Sequence, residues 1–315
     1  MLTTAVIGLG TRGAAHAAAL RAQPLSSLVG VCDSDPARRD PVAAACRVPG
    51  FAELGPLLEL RPQLVSVGRD DPAAIRACLQ AGAHVLCSPQ AASGPSGEEL
   101  AALAASRGLV LAADFNHRFV PGATTAREWV RSGRLGVPLF ANLSLWGPGE
   151  GEPDPRACLR TLGLHAVDLL RYLCGEPAQV QCFAARGGTA NVSLRLADGL
   201  VAHLNLSQGM SHLHPAARAE VAGNLARLVL DNVYEELTLY PHAEPETTVI
   251  TNNIWTGLLG YQETYRLRLQ RLLEQLAAGI APAQVEGTAA EAQAARRVVE
   301  AAISALESGA VVKIA

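Results

Sequence analysis

The chain has 315 residues, of which 49% are hydrophobic and 17% charged, with a formal net charge of −3. That length suffices for about two ordinary domains with cores of their own, so no disulfide or structural metal is required, and the composition excludes a disordered chain. Nothing resembles a basic block that would neutralise phosphates or an apolar run that would span a membrane, so neither nucleic acid nor bilayer is expected as a partner.

The seven cysteines, Cys32, Cys46, Cys78, Cys87, Cys158, Cys174 and Cys182, are scattered, odd in number and without a CxxC pair, which predicts reduced, packed thiols and no metal site. The opening "MLTTAVIGLGTRGAAHAAAL" is alanine-rich but lacks a basic start, and Arg12 interrupts its apolar part. It does not read as a signal peptide, and a soluble cytoplasmic protein is expected.

The first third alternates strand and helix patterns. "TTAVIGLG" is a strand, "TRGAAHAAALRA" a helix and "LSSLVGVCDSD" a strand ending in turn formers. Helices around Ala37–Cys46 and Leu54–Leu58 precede the strand "QLVSVG". Helix Pro72–Ala81, strand "HVLCS", helix Glu98–Arg107 and strand "LVLAADF" follow. Strands separated by helices imply right-handed crossovers and a parallel sheet covered on both faces. The piece after "HVLC", Ser88 to Ser93, reads as a small loop offering no acid, base or cation.

Beyond Pro121 the pattern changes. A helix near Thr124–Ser132 leads to the strand "PLFANLSLWG", and another helix spans about Leu162–Leu173. Alternating strands then succeed one another: "TANVSLRLADGLVAHLNLSQ" is a hairpin turning at Asp198-Gly199, and "ARAEVAGNLARLVLD" turns around Gly223-Asn224. Two helices close the chain. The last, roughly Thr288–Ser308, has Thr288 and Glu291 at capping-box spacing and stops at Gly309, before a final strand "VVKIA". The expected fold is therefore α/β: a doubly wound parallel Rossmann sheet over residues 1–120, then an α+β domain with a mostly antiparallel sheet over 121–315, whose last helix can pack back between the domains.

Gly8, Gly10 and Gly13 spell GxGxxG after a strand and at a helix start, with Asp33 ending the next strand. A dinucleotide site needs this context: Gly8 for the tight turn, Gly10 for approach of a pyrophosphate to the backbone, Gly13 for close helix–strand packing. Leu9, Thr11 and Arg12 complete the turn. Asp33 would accept from the adenosine ribose and repel a 2′-phosphate, favouring NAD over NADP, although Arg38 and Arg39 soften that preference.

The segments "VIGLGTRGAAH", "VGVCDSDPARR", "AGAHVLC", "FNHRFVPG" with "SGRLGVPLF", and "LGLHAVDLLRYLCG" stand in the order found in the Gfo/Idh/MocA family of NAD(P)-dependent sugar and polyol dehydrogenases, which the whole chain resembles. The resemblance implies an open-faced sheet in the second domain that forms a homodimer or homotetramer. It implies a cofactor crevice that Ser66 and Val67 help to line, and a histidine acid–base at His165. It also exposes three departures. Family members carry Glu-Lys-Pro after the strand matching "HVLC", and its lysine serves the reacting hydroxyl; here Ser88, Pro89 and Gln90 occupy those positions without gaps. A shift by one residue sets Ser88 against the lysine and Pro89 against the proline, and neither alignment recovers a lysine. Thr161 stands where an aspartate precedes the histidine by four. Ser66-Val67 and Asp71 replace a Thr-Pro turn and a helical histidine.

By helical spacing alone His165 lies beside a buried stripe and reads as a satisfied core histidine; the resemblance places it in the crevice. Asp168, at i+3, can orient its imidazole or face solvent. Arg118, His117 and Arg160 are candidates for the missing cation, and Ser88 can donate one hydrogen bond. His212 and His214 have HxH spacing without further ligands, which reads as a loop, and His203 faces substrate or solvent from a hairpin strand. The function implied is hydride transfer to or from a small sugar, polyol or inositol-like molecule with NAD or NADP. Two other readings stay open: a catalytically silent nucleotide-binding relative acting as sensor or partner subunit, and an atypical reductase resembling biliverdin reductase.

Overall fold

The computed structural model describes residues 1–147, 152–210, 216–232, 235–251 and 257–314. The chain opens with β1 (Leu2–Ile7), α1 (Thr11–Ala22), β2 (Ser26–Cys32), α2 (Pro36–Cys46), β3 (Gly50–Phe51) and α3 (Leu54–Glu59). It continues through β4 (Leu64–Val67), α4 (Pro72–Gln80), β5 (His84–Cys87), α5 (Pro89–Ser93), α6 (Gly97–Ser106) and β6 (Leu111–Ala113). A 3₁₀ turn, Asn116–Phe119, leads to α7 (Pro121–Arg131), β7 (Pro138–Trp146), α8 (Pro155–Cys158) and, after a π-turn at Leu159–Gly163, α9 (Leu164–Cys174). Strands β8 (Pro177–Ala185), β9 (Thr189–Leu196), β10 (Val201–Ser207), β11 (Ala216–Gly223), β12 (Ala226–Asp231), β13 (Glu236–Pro241) and β14 (Thr248–Thr251) come next. Helices α10 (Gly257–Ala277) and α11 (Ala289–Ser308) and the short β15 (Val312–Lys313) end it.

Two compact units result, one of Met1–Asn116 with Gln262–Gln293, the other of His117–Tyr261 with Ala294–Ala315. In the first, six parallel strands lie in the order β3-β2-β1-β4-β5-β6. Succession runs one way from β1 to β3 and the other way from β4 to β6, so a topological switch point falls between β1 and β4. Open α/β sheets bind ligands outside the carboxyl ends of the strands at such a point. β4 is buried along its whole length, as a parallel strand covered on both faces must be. Val6, Leu20, Val31, Leu64 and Leu86 pack with Leu269, Leu272 and Leu273 of α10 in one core.

The second unit holds a nine-stranded sheet in the order β14-β13-β12-β11-β7-β10-β9-β8-β15, antiparallel except where β7 meets β10. Alternate residues of β9 and β10, among them Val192, Leu194, Leu204 and Leu206, are buried. The period of two gives the sheet one packed face, and Phe140, Phe183 and Val201 remain exposed. The β9–β10 turn falls where the Asp-Gly pair places it, with Gly199 at φ +95°.

Three expectations are corrected. Ser88 to Ser93 is no loop: Ser88 caps the short helix α5 by accepting from Ala91 N at 3.0 Å, and Pro89 suits its first turn. The helix expected at Thr124–Ser132 begins at Pro121 for the same reason. The helix expected at Leu162–Leu173 is the last part of a longer helical run that includes the π-turn, in which Thr161 sits. The capping box at α11 is seen in its Glu291 arm, which accepts from Thr288 N at 2.9 Å. His212 and His214 lie outside the described residues. Among those described, no helix is long and apolar enough to cross a membrane, no group of three metal-ligating side chains occurs, and all seven cysteines are free.

Candidate functional site

In the first unit β1 delivers the chain into the glycine turn. Gly8 has φ +77°, a conformation that favours glycine. A Cβ on Gly13 would stand 1.9 Å from the Gly8 carbonyl oxygen, which gives the close helix–strand packing read from sequence a hard steric basis. Gly68, not singled out in the sequence, is held the same way: its Cβ would lie 2.4 Å from the same oxygen. Gly10 differs. Among the described residues its Cβ would meet nothing within 4 Å, and it starts α1 without any side-chain cap. The described residues leave that space open, beside the unsatisfied N–H groups and the positive end of a helix dipole, which suits an anionic pyrophosphate.

Asp33 directly follows the last residue of β2 and is buried. Its Oδ2 accepts from Leu9 N at 2.7 Å and its Oδ1 from Asp35 N at 3.0 Å, so the carboxylate ties the glycine turn to the β2 end. Burial opposes ionisation, but the two backbone N–H groups, helped by Arg38 and Arg69, hold its carboxyl below the usual range. The arginines expected to soften the preference for NAD are engaged, Arg38 with Asp35 at 3.3 Å and Arg39 with Asp40 at 2.8 Å. Thr11 is exposed and Arg12 half-buried in the first turn of α1.

Beneath the turn lies a buried group that sequence reasoning missed. His16 of α1 has Nδ1 2.7 Å from Ser66 Oγ on β4 and Nε2 3.2 Å from Asp114 Oδ2, just past β6. Burial would raise Asp114, yet the adjoining His16, with Arg12 and Arg268 nearby, brings it below the ordinary carboxylate range. Ser66 and its neighbour Val67 are both buried in β4.

Ser88, which a one-residue shift sets against the family lysine, is buried, and besides capping α5 its Oγ donates to Asp70 Oδ1. The strand end read as devoid of acid thus carries a carboxylate, delivered by the loop after β4.

In the second unit His165 is half-buried on α9. The His117 ring lies beside it, centroids 5.5 Å apart and planes tilted by 46°, and Tyr261 meets His117 edge-on at 6.1 Å. Imidazole is the side chain suited to exchanging protons with a bound hydroxyl near neutral pH, and two of them stand together here. Asp168, read as an orienter of His165, is buried and accepts from Arg118, through Nε at 2.9 Å and through Nη2. Arg118 is therefore engaged in an ion pair rather than offered as a bare cation, and it also lies 5.7 Å from the Tyr172 ring. Arg160 pairs with Glu300 at 3.1 Å on the surface. Thr161 donates to Ala157 O at 2.8 Å and accepts from Gln208 Nε2 at 2.7 Å. His203 is exposed, 3.1 Å from Ser193 Oγ.

Residues 2–115 match a family model described as an oxidoreductase family with an NAD-binding Rossmann fold, and residues 123–229 match the GFO/IDH/MocA C-terminal domain. D-glucoside 3-dehydrogenase of Escherichia coli (strain K12) is 31% identical over 204 residues, which are 56% of this chain and 55% of that protein. The match thus spans about half the length of this curated relative. Among solved structures, an oxidoreductase from Agrobacterium radiobacter in complex with NAD+, L-tartaric acid and magnesium superposes with a TM-score of 0.86 at 16% identity, over 99% of this chain and 98% of that one. Levoglucosan dehydrogenase in complex with NADH gives 0.86 at 16%, over 100% and 99%. An oxidoreductase domain protein from Kribbella flavida gives 0.84 at 22%, over 100% and 99%. At these identities the structural likeness establishes the fold.

Proposed function

The chain belongs to the Gfo/Idh/MocA family of NAD-binding oxidoreductases, and from that membership we propose that it is a dehydrogenase acting on a small polyhydroxylated or cyclic substrate, a sugar, polyol or inositol-like molecule. The nicotinamide, when bound, supplies the hydride acceptor or donor. The observation that carries the reading is the open space over Gly10, next to a helix start that no side chain caps. Asp33, held ionised at the β2 end, favours a ribose with a free 2′-hydroxyl and hence NAD.

His165 acts as acid–base on the substrate hydroxyl, with the His117 imidazole beside it to take up or return the proton and Tyr261 packed edge-on against His117. D-glucoside 3-dehydrogenase and levoglucosan dehydrogenase act, by their names, on sugars, which supports the substrate class. The exposed apolar side chains Phe140, Phe183 and Val201 on the second unit's sheet support a homodimer or homotetramer. The free cysteines suit a reducing cytoplasm.

Initial rates with NAD and NADP over a panel of neutral sugars, inositols and the corresponding ketones test the proposal. Turnover with NAD that falls at least about hundredfold in His165→Ala agrees with it. Tight cofactor binding without turnover on any compound favours instead a silent nucleotide-binding relative, a reading motivated by the loss of both the family lysine beyond "HVLC" and the aspartate that Thr161 replaces.

A further inference from the structure

We propose, building on the dehydrogenase reading, that Asp70 is a substrate-binding residue that accepts hydrogen bonds from substrate hydroxyls and selects neutral polyols against anionic sugars. The placement comes first. Asp33 stands at the carboxyl end of β2, on one side of the switch point between β1 and β4. Asp70 and Ser88 follow β4 and β5, on the other side. A dinucleotide laid across such a sheet puts its adenosine over the first side and its reactive ring, with the substrate, over the second.

The fixation comes next. Ser88 is buried and its Oγ already accepts from Ala91 N, so its one hydrogen is directed to Asp70 Oδ1. Asp70 itself is exposed. One carboxylate oxygen is therefore anchored on a rigid strand end while the other stays open to a ligand. The neighbouring Asp71 does the local structural work: it caps α4 through Ala74 N at 2.9 Å and pairs with Arg69 at 2.7 Å. Among the described residues no cation lies within ion-pair distance of Asp70.

The chemistry follows from sign. A fixed carboxylate accepts hydroxyl hydrogens and repels a substrate carboxylate or phosphate, the opposite of an ammonium at the same strand end. The shared ligand chemistry is a hydroxyl group, which the nicotinamide ribose also carries, so the test has an arm for each source.

The experiment compares wild type, Asp70→Asn and Asp70→Lys. It reads the affinity of their NADH complexes for D-glucose and for D-glucuronate by NADH fluorescence, kcat/KM for both sugars with NAD, and the Kd for NADH alone. In Asp70→Asn the preference for glucose over glucuronate is expected to fall about tenfold, and in Asp70→Lys to fall further or invert, with NADH affinity unchanged within about threefold. An unchanged preference in both variants overturns the proposal while leaving the dehydrogenase reading standing. A tenfold loss of NADH affinity without a change in preference overturns it too, and assigns the carboxylate to the cofactor ribose. If the wild type binds NADH but neither binds nor turns over any sugar, both readings fall.

Discussion

Gly10 and Gly13 belong to one motif, yet the structure predicts opposite consequences for Gly10→Ala and Gly13→Ala. Gly10 has φ −64° and ψ −172°, extended backbone open to any residue, and its Cβ would meet no atom of the described residues within 4 Å. Alanine there is expected to change stability by less than about 1 kcal/mol, the lost flexibility of the unfolded chain offsetting a weaker helix start. A methyl in that space displaces a bound phosphate from at least one backbone N–H. Hydrogen bonds to charged groups contribute about 1.5–3 kcal/mol, so the Kd for NADH is expected to rise roughly ten- to hundredfold. Gly13→Ala brings its methyl to 1.9 Å from the Gly8 carbonyl oxygen, and the backbone must move. Overpacking of this kind costs about 1–3 kcal/mol or more. Calorimetric titration with NADH and thermal melting of both variants make the comparison. A Gly10→Ala protein that binds NADH like wild type refutes the reasoning, because the space over Gly10 would then not be where the phosphate lies.

Asp33→Ser removes the carboxylate proposed to meet the adenosine ribose, and the ratio of Kd values for NADPH and NADH is expected to fall at least about tenfold; an unchanged ratio assigns the preference elsewhere. Asp168→Ala leaves the buried Arg118 without its carboxylate and is expected to cost about 3–5 kcal/mol by denaturant titration, whereas Glu300→Ala, in an exposed pair, is expected to cost less than about 1. Asp114 has a folded-state pKa below its unfolded value, so its contribution to stability is present above about pH 4 and is lost as pH falls through the folded value. Melting curves from pH 6 down to pH 3 are expected to show a steeper loss for wild type than for Asp114→Asn, and parallel curves would remove Asp114 from the acid response.

What could be read from the sequence was local. The GxGxxG turn, Asp33 after β2, and the Asp198-Gly199 hairpin each state their backbone requirement within a few residues. Helix α5 gives no periodic signal because it has five residues, and its cap, Ser88, reads in sequence only as a stand-in for the family lysine. Gly68 is needed because β4 packs against the β1 turn, a demand invisible along the chain. His16, Ser66 and Asp114 come from a helix and two strand regions, and Asp70 reaches Ser88 from 18 positions away. Tyr261 is brought to His117 from far along the chain, so no local spacing announces it. Asp168 shows the limit of helical spacing: i+3 from His165 allows either an orienter or a solvent-facing acid, whereas the carboxylate is buried and pairs with Arg118, since an ionised acid there requires a cation.

Calorimetric titration of the purified wild-type protein with NADH, followed by NADPH, tests the central claim most directly. Saturable binding of NADH to one site per chain, tighter than that of NADPH, is the predicted result. No heat with either nucleotide would contradict the account.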